Sequence, residues 1–134
     1  MQIGCDVPLK ISLIIPCYNE EQGIKRASRK ILSSLDESND DWEVIFVNDG
    51  SCDNTFEKLE EIAAVDSRVI VKSYQVNQGR GKALRVGFEA ATGEIIVANE
   101  ADLSWGNKIA LRLSDALKKN PSVGVVVASP HLKK

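Results

Sequence analysis

Apolar residues in this chain fall into short unbroken runs separated by amphipathic stretches. The runs are Ile11–Ile15, Glu43–Val47, Arg68–Ser73, Ile95–Ala98 and Val123–Ala128. Their length and their richness in Val and Ile predict five strands. The intervening stretches repeat at helical spacing. Ile24, Ala27, Ile31 and Leu35 share one face, as do Phe56, Leu59 and Ile62 or Ala63. A third helix would turn Ala83, Leu84, Gly87, Phe88 and Ala91 inward. A fourth, from about Trp105 to Lys119, would bury Ile109, Leu113, Ala116 and Leu117. Punctuation agrees with this division. Pro16 has no N–H for a ladder and should stop the first strand. Asn19 with Gln22 forms a capping-box pattern, and Asp53 or Asn54 can cap the second helix. Thr92-Gly93 and Asn120-Pro121 end the third and fourth helices, and residues 1–10 read as a loose lead-in.

The order is therefore β-α-β-α-β-α-β-α-β. Strands that are continuously apolar, not alternating, belong to a sheet covered on both faces. Right-handed crossovers make that sheet mainly parallel and doubly wound, a Rossmann-like α/β fold. At 134 residues the chain is long enough for one domain, taken as 1–134, and too short for two.

Bulk composition narrows the function by exclusion. Hydrophobic content of 43% and charged content of 27% are ordinary for a globular protein. A net charge of -2 offers no basic stripe, so no nucleic-acid partner is expected. No apolar run reaches membrane-spanning length and no signal-peptide pattern opens the chain. Cys5, Cys17 and Cys52 lack metal-ligand spacing and read as reduced thiols of a cytoplasmic protein. The single histidine, His131, stands near the C-terminus and reads as a surface residue, which disfavours a zinc site or a Ser-His-Asp triad.

Candidate chemistry sits in the loops that leave the strands' carboxyl ends, where ligands collect in open α/β sheets. Glu100 and Asp102 stand one residue apart after the fourth strand. Such a pair is either a solvated acidic turn capping the helix near Trp105 or a site for a hard divalent cation carrying phosphate oxygens. Tyr18, Glu20, Asp49 and Lys82 would converge on the same edge. An aromatic ring, carboxylates and a lysine beside a metal-type acid pair suit a nucleoside diphosphate. Two other phosphate motifs fail. Gly79-x-Gly81 lacks its third glycine, since Leu84 stands there, and it follows the third strand. Gly81-Lys82 would end a P-loop, but Val76 replaces the first glycine and Ala83 the Ser/Thr. A nucleotidyltransferase would carry a Gly-rich loop where Pro16-Cys-Tyr-Asn-Glu20 stands.

Four ordered segments resemble the family-two glycosyltransferases. They are Ser12–Glu21, Val47–Ser51 with Asp53 and Thr55, Asn77-x-Gly79-x-Gly81-x-Ala83 with Gly87, and Ala91–Glu94 ahead of an acid-x-Asp-Leu-Ser turn. The branch most similar is that of dolichyl- and polyprenyl-phosphate mannose or glucose synthases. The resemblance implies an A-type glycosyltransferase fold, here its donor-binding half, taking a UDP- or GDP-sugar with Mg²⁺ or Mn²⁺. It implies that Pro16, Tyr18 and Glu20 line the base and ribose and that Asp49 accepts from the base. Lys82 would lie toward the diphosphate, Asp102 would be the metal ligand, and Glu100 would sit near ribose or metal. The expected reaction is inverting transfer of a hexose to a polyprenyl phosphate, which would place a cytoplasmic protein peripherally at a membrane.

Three departures qualify the resemblance. Asn48 replaces the first acid of an Asp-Asp-Gly-Ser segment, and Glu100 replaces the first Asp of the metal motif. Its longer stem moves the carboxylate by about 1.5 Å. The chain also ends at Lys134, before the half expected to hold the acceptor site and catalytic base. A strand from that half would lie between the fourth and fifth. The alternative is a non-catalytic or degenerate binding module that assembles, with itself or a partner subunit, through an exposed sheet edge.

Overall fold

A computed structural model describes residues 7–130 of the chain. Cys5, His131 and most of the expected lead-in lie outside these residues. The elements are β1 (Lys10–Cys17), α1 (Ile24–Leu35), β2 (Asp41–Asp49), α2 (Thr55–Val65), β3 (Val69–Tyr74), α3 (Arg80–Ala90), β4 (Ile95–Ala98) and α4 (Ile109–Lys119). The four strands form one parallel sheet in the order β3-β2-β1-β4. The chain moves outward from β1 to β3, then crosses back to the far side of β1. That reversal opens a crevice at the carboxyl ends, where such sheets bind ligands.

Helices cover both faces, unequally. Ile11, Leu13, Ile15, Val44 and Phe46 pack with Ile24, Ile31, Leu35, Leu59, Ile62 and Ala110, so α1, α2 and α4 share one side. On the other, Ile14, Ile45 and Val47 meet Ala83 of α3. Each fully buried Ile or Leu contributes about 2 kcal/mol. α3 lies over β1 and β2 and leaves that face of β4 open, so Ile96 is 40% exposed. Phe88, expected inward, is half exposed because Ala83 and Gly87 take the buried positions of α3. In α2 the buried first-turn residue is Thr55, and Phe56 is partly exposed.

Three expected boundaries move. Pro16 does not end β1; it pairs opposite Val47 inside the strand. The carbonyl of Ile14 accepts from the Asn99 amide on the β4 side, and Pro16, two residues on, turns its backbone the same way. β4 has stopped pairing there, so the missing N–H costs no ladder bond. α1 begins at Ile24 with Gly23 as its cap, and Asn19 makes no helix cap. α4 begins at Ile109, not Trp105, after a turn in which the Gly106 amide donates to the Leu103 carbonyl.

The fifth predicted strand does not form: residues 123–128 join no sheet, and Val125 and Val127 are about three-quarters exposed, at 76% and 75%. A strand needs a ladder partner, and this segment is not bonded to the free edge of β4. The two instead flank a groove of about 530 Å³ lined by Ile95–Asn99 and Gly124–Ala128. Within it, Asn99 Nδ2 is the one buried side-chain polar atom without a hydrogen-bond partner among the described residues.

Buried polar groups tie the crossover down. Glu43, 8% exposed, accepts from Ser12 Oγ at 2.5 Å, from the Thr92 amide at 2.7 Å and from Thr92 Oγ1 at 3.0 Å. Ser12 Oγ in turn accepts from the Gly93 amide. Burial pushes the Glu43 carboxyl up, but these bonds and Lys10 outweigh it and hold it below its ordinary 4.5. The folded value is depressed, so this stabilisation is present above about pH 4.5 and is lost as pH falls through the folded value. Glu43→Gln is expected to cost about 2 kcal/mol at pH 7. The urea-midpoint difference from wild type should shrink at pH 3.5; a pH-independent difference would refute the linkage.

Candidate active site

The crevice holds a cleft of about 370 Å³ lined by Pro16, Cys17, Tyr18, Glu20, Asp49, Asn77, Gly79, Arg80 and Glu100. Its residues come from the ends of all four strands, as the loop placement predicts. A groove of about 500 Å³ between α1 and α2 lies elsewhere; there Lys25 pairs with Glu61, and Arg68 with Asp36 and Asp66.

The β1–α1 loop is pinned to the β2–α2 loop. Asn19 adopts a left-handed conformation, φ 52°; its amide donates to Ser51 Oγ and its Oδ1 accepts from the Cys52 amide. The Glu20 amide donates to Thr55 Oγ1 at 2.8 Å. Asp53 receives the Thr55 amide and hydroxyl and the Glu21 amide. These bonds fix Tyr18, about half exposed, and Glu20 at one wall of the cleft. Asn48 is buried and donates to Ser73 Oγ, joining β2 to β3. Its place in the motif is therefore structural.

Asp49 is 3% exposed, and each of its oxygens accepts two hydrogen bonds. Oδ1 receives Tyr74 Oη at 2.7 Å and the Gln78 amide at 2.8 Å. Oδ2 receives Asn77 Nδ2 at 2.9 Å and the Gly79 amide at 3.0 Å. A carboxylate has about four acceptor positions. The expected acceptance from a nucleotide base thus meets a group already occupied, and the geometry makes Asp49 the anchor of residues 77–79. Burial and then the Asp49 carboxylate push the Tyr74 phenol far above its ordinary range, keeping it a donor.

Beyond Asp49, the chain turns at Gly79, φ 93°, and α3 starts. Its first residue, Arg80, lines the cleft. Lys82, the cation expected there, is exposed and does not line it. Arg80 is the residue that sequence reasoning missed. Successive helical residues are about 100° apart, so positions 80 and 82 point about 200° from each other. Locating the helix start at Gly79 would have exposed the choice. Arg80 reaches Glu100 Oε1 through Nε at 3.2 Å and a terminal nitrogen at 2.8 Å.

Asp102 is exposed two residues after Glu100, and its Oδ1 accepts from the Ser104 amide at 2.9 Å. The hydrogen bonds from Ser104 hold its carboxyl below the usual range. Leu103 between them has φ 61°, a conformation non-glycine residues rarely adopt and one that concentrates at functional sites. Burial raises the Glu20 carboxyl, and the charges of Asp102, Asp53 and Glu100 raise it further. Acids from three loops therefore feel one another across this end of the cleft.

Among the described residues no three His, Cys, Asp or Glu side chains cluster as an all-protein metal cage. The hard carboxylates nearest this role are Glu100, which lines the cleft, and Asp102, two residues on, which does not. That set fits Mg²⁺ or Mn²⁺, which take one or two carboxylates and complete their shell with water and substrate phosphate. No helix among the described residues is long and apolar enough to cross a membrane.

Known proteins resemble this chain in sequence and in fold. An undecaprenyl-phosphate 4-deoxy-4-formamido-L-arabinose transferase of Proteus mirabilis is 36% identical over 95 residues, 70% of this chain and 29% of that protein. Among solved structures, the mannosyltransferase PcManGT from Pyrobaculum calidifontis, in complex with GDP-Man and Mn²⁺, superposes with a TM-score of 0.76 at 25% identity. It covers 89% of this chain and 35% of its own. Glucosyl-3-phosphoglycerate synthase from Mycobacterium tuberculosis, in complex with UDP, gives 0.61 at 29% identity over 82% of this chain and 40% of its own. The chain spans well under half the length of each. These neighbours establish the A-type glycosyltransferase fold. The profile described as Glycosyl transferase family 2 matches residues 12–133, and the chain belongs to that family.

Proposed function

We propose that this chain is the donor-binding part of a glycosyltransferase that takes a nucleoside-diphosphate hexose with Mg²⁺ or Mn²⁺. The observation that carries the reading is the cleft at the switch point, with an exposed aromatic ring at one wall and Arg80 and Glu100 at the other. Tyr18 would lie against the base, with Pro16 beneath and Glu20 toward the ribose. Asp49 would act through the loop it holds. Arg80 would face the diphosphate, and Glu100 and Asp102 would hold the metal. When bound, the cation would neutralise charge gathering on the leaving diphosphate.

For the acceptor we propose a polyprenyl phosphate, whose phosphate oxygen would displace the nucleotide with inversion at the sugar carbon. This is supported by the lipid phosphate in the name of the Proteus relative. Such an acceptor would bring the chain to a membrane surface. No residue of this chain is assigned as catalytic base.

Calorimetric titration of the chain with UDP and with GDP, each with and without Mn²⁺, tests the donor site. Metal-dependent binding of one nucleotide is expected. Asp102→Asn should weaken that binding at least about tenfold, since it removes a charged ligand. Unchanged affinity in the variant would remove Asp102 from the site.

A further inference from the structure

The Glu100 carboxylate, which the donor-site reading puts beside the metal, is engaged by the Arg80 guanidinium. Arg80 meets it through two nitrogens, and both side chains are partly open to solvent, at 54% and 38%. A divalent cation and a guanidinium compete for the same oxygen. An anionic diphosphate in the cleft offers Arg80 a second partner of the kind that guanidinium groups bind in pairs of hydrogen bonds. We propose that Arg80 is an exchange residue that couples nucleotide binding to metal binding. It screens Glu100 while the cleft is empty and transfers to the diphosphate when the nucleotide enters, freeing Glu100 for the cation. The idea rests on the donor-site reading above.

The geometry favours exchange over a fixed ion pair for three reasons. First, Arg80 is the first residue of α3, directly after Gly79, so it sits at the helix end that attracts anions. Second, the anchoring of the Gln78 and Gly79 amides by Asp49 fixes the backbone before it. Only the flexible side chain needs to move. Third, one cation leaves Glu100 as another arrives, so neither state leaves the carboxylate bare. Asp102 takes no part in the screen, because its hydrogen bonds come from Ser104.

The test is a double-mutant cycle on the full chain, read as Mn²⁺ affinity by electron paramagnetic resonance of the free ion. In the absence of nucleotide, Arg80→Gln is expected to tighten Mn²⁺ binding about threefold, the scale of an exposed ion pair. The gain should vanish in the Glu100→Gln background, because nothing is left to unmask. UDP or GDP, whichever binds, should raise Mn²⁺ affinity more in wild type than in Arg80→Gln. Mn²⁺ affinity unchanged by Arg80→Gln, or raised equally with and without Glu100, would overturn the exchange. Failure of both nucleotides to bind the wild-type chain would instead overturn the donor reading. The Mn²⁺ cycle would still decide whether Arg80 screens Glu100. Circular dichroism of each variant establishes that it is folded.

Discussion

Replacing Asp49 with Asn is expected to lower stability by about 3 kcal/mol and nucleotide affinity by at least about tenfold. The substitution is nearly isosteric, yet it turns two acceptor positions into donors. Asp49 receives four donors, two of them the backbone amides of Gln78 and Gly79. An Asn side chain can accept through one oxygen only; on either side its NH₂ would face a backbone N–H, that of Gln78 or Gly79, which has nothing to offer it. The buried donors left over each cost about 1–3 kcal/mol. Asp49→Asn should therefore be no better than Asp49→Ala, and melting should fall by about 10 °C. Urea denaturation of the two variants compares them directly. Wild-type stability in Asp49→Asn would show that the carboxylate does not hold the loop.

Gly50→Ala should be comparably severe, for steric reasons. Gly50 has φ 63°, and a Cβ there would lie 2.2 Å from the Asn77 nitrogen and 2.4 Å from the Val76 carbonyl carbon. Both are backbone atoms, so no change of rotamer relieves the clash. The left-handed conformation costs about 1 kcal/mol for an L residue, and forced displacement of the neighbouring backbone about 1–3 more. A loss of about 3 kcal/mol is expected in thermal unfolding. Gly81→Ala is the internal control: nothing lies within 4 Å of its added Cβ, and alanine suits a helix. It should be neutral or slightly stabilising. Equal effects at positions 50 and 81 would refute the steric account.

Much of this architecture was legible in the apolar runs. β1 and β2 are recognisable because central parallel strands are apolar without alternation, and the short Val- and Ile-rich runs mark the edge strands β3 and β4. What was not legible depends on partners far away in sequence. Val123–Ala128 has the composition of a strand, yet a strand exists only when a neighbour takes its hydrogen bonds. The missing N–H of Pro16 predicts a stop only if a neighbour needs it, and β4 has already diverged there. Asn19 was read as a cap from its spacing to Gln22, whereas its amide and Oδ1 are spent on a loop 32 and 33 residues away. Arg80 lines the cleft and Lys82 does not, because helix phase depends on where Gly79 lets the helix begin. The acid pair was ambiguous as a turn or a metal site. Asp102 closes a turn with Ser104.

The return of the chain from β3 to β4 also sets the order in which the molecule assembles. Pairing of β1 with β2 joins Ile11 to Trp42, a separation of 42 − 11 = 31 residues, whereas pairing with β4 joins Ile11 to Ile95, 95 − 11 = 84 residues apart. Closing the longer loop costs about 0.9 kcal/mol more in chain entropy, and it brings only a short strand with one neighbour. The wall that carries Tyr18 and Asp49 can therefore form early from local contacts. Glu100 and Asp102 follow β4, so the acidic side of the cleft is expected to close last and loosen first, which hydrogen exchange of the β4 amides faster than those of β1 and β2 would show.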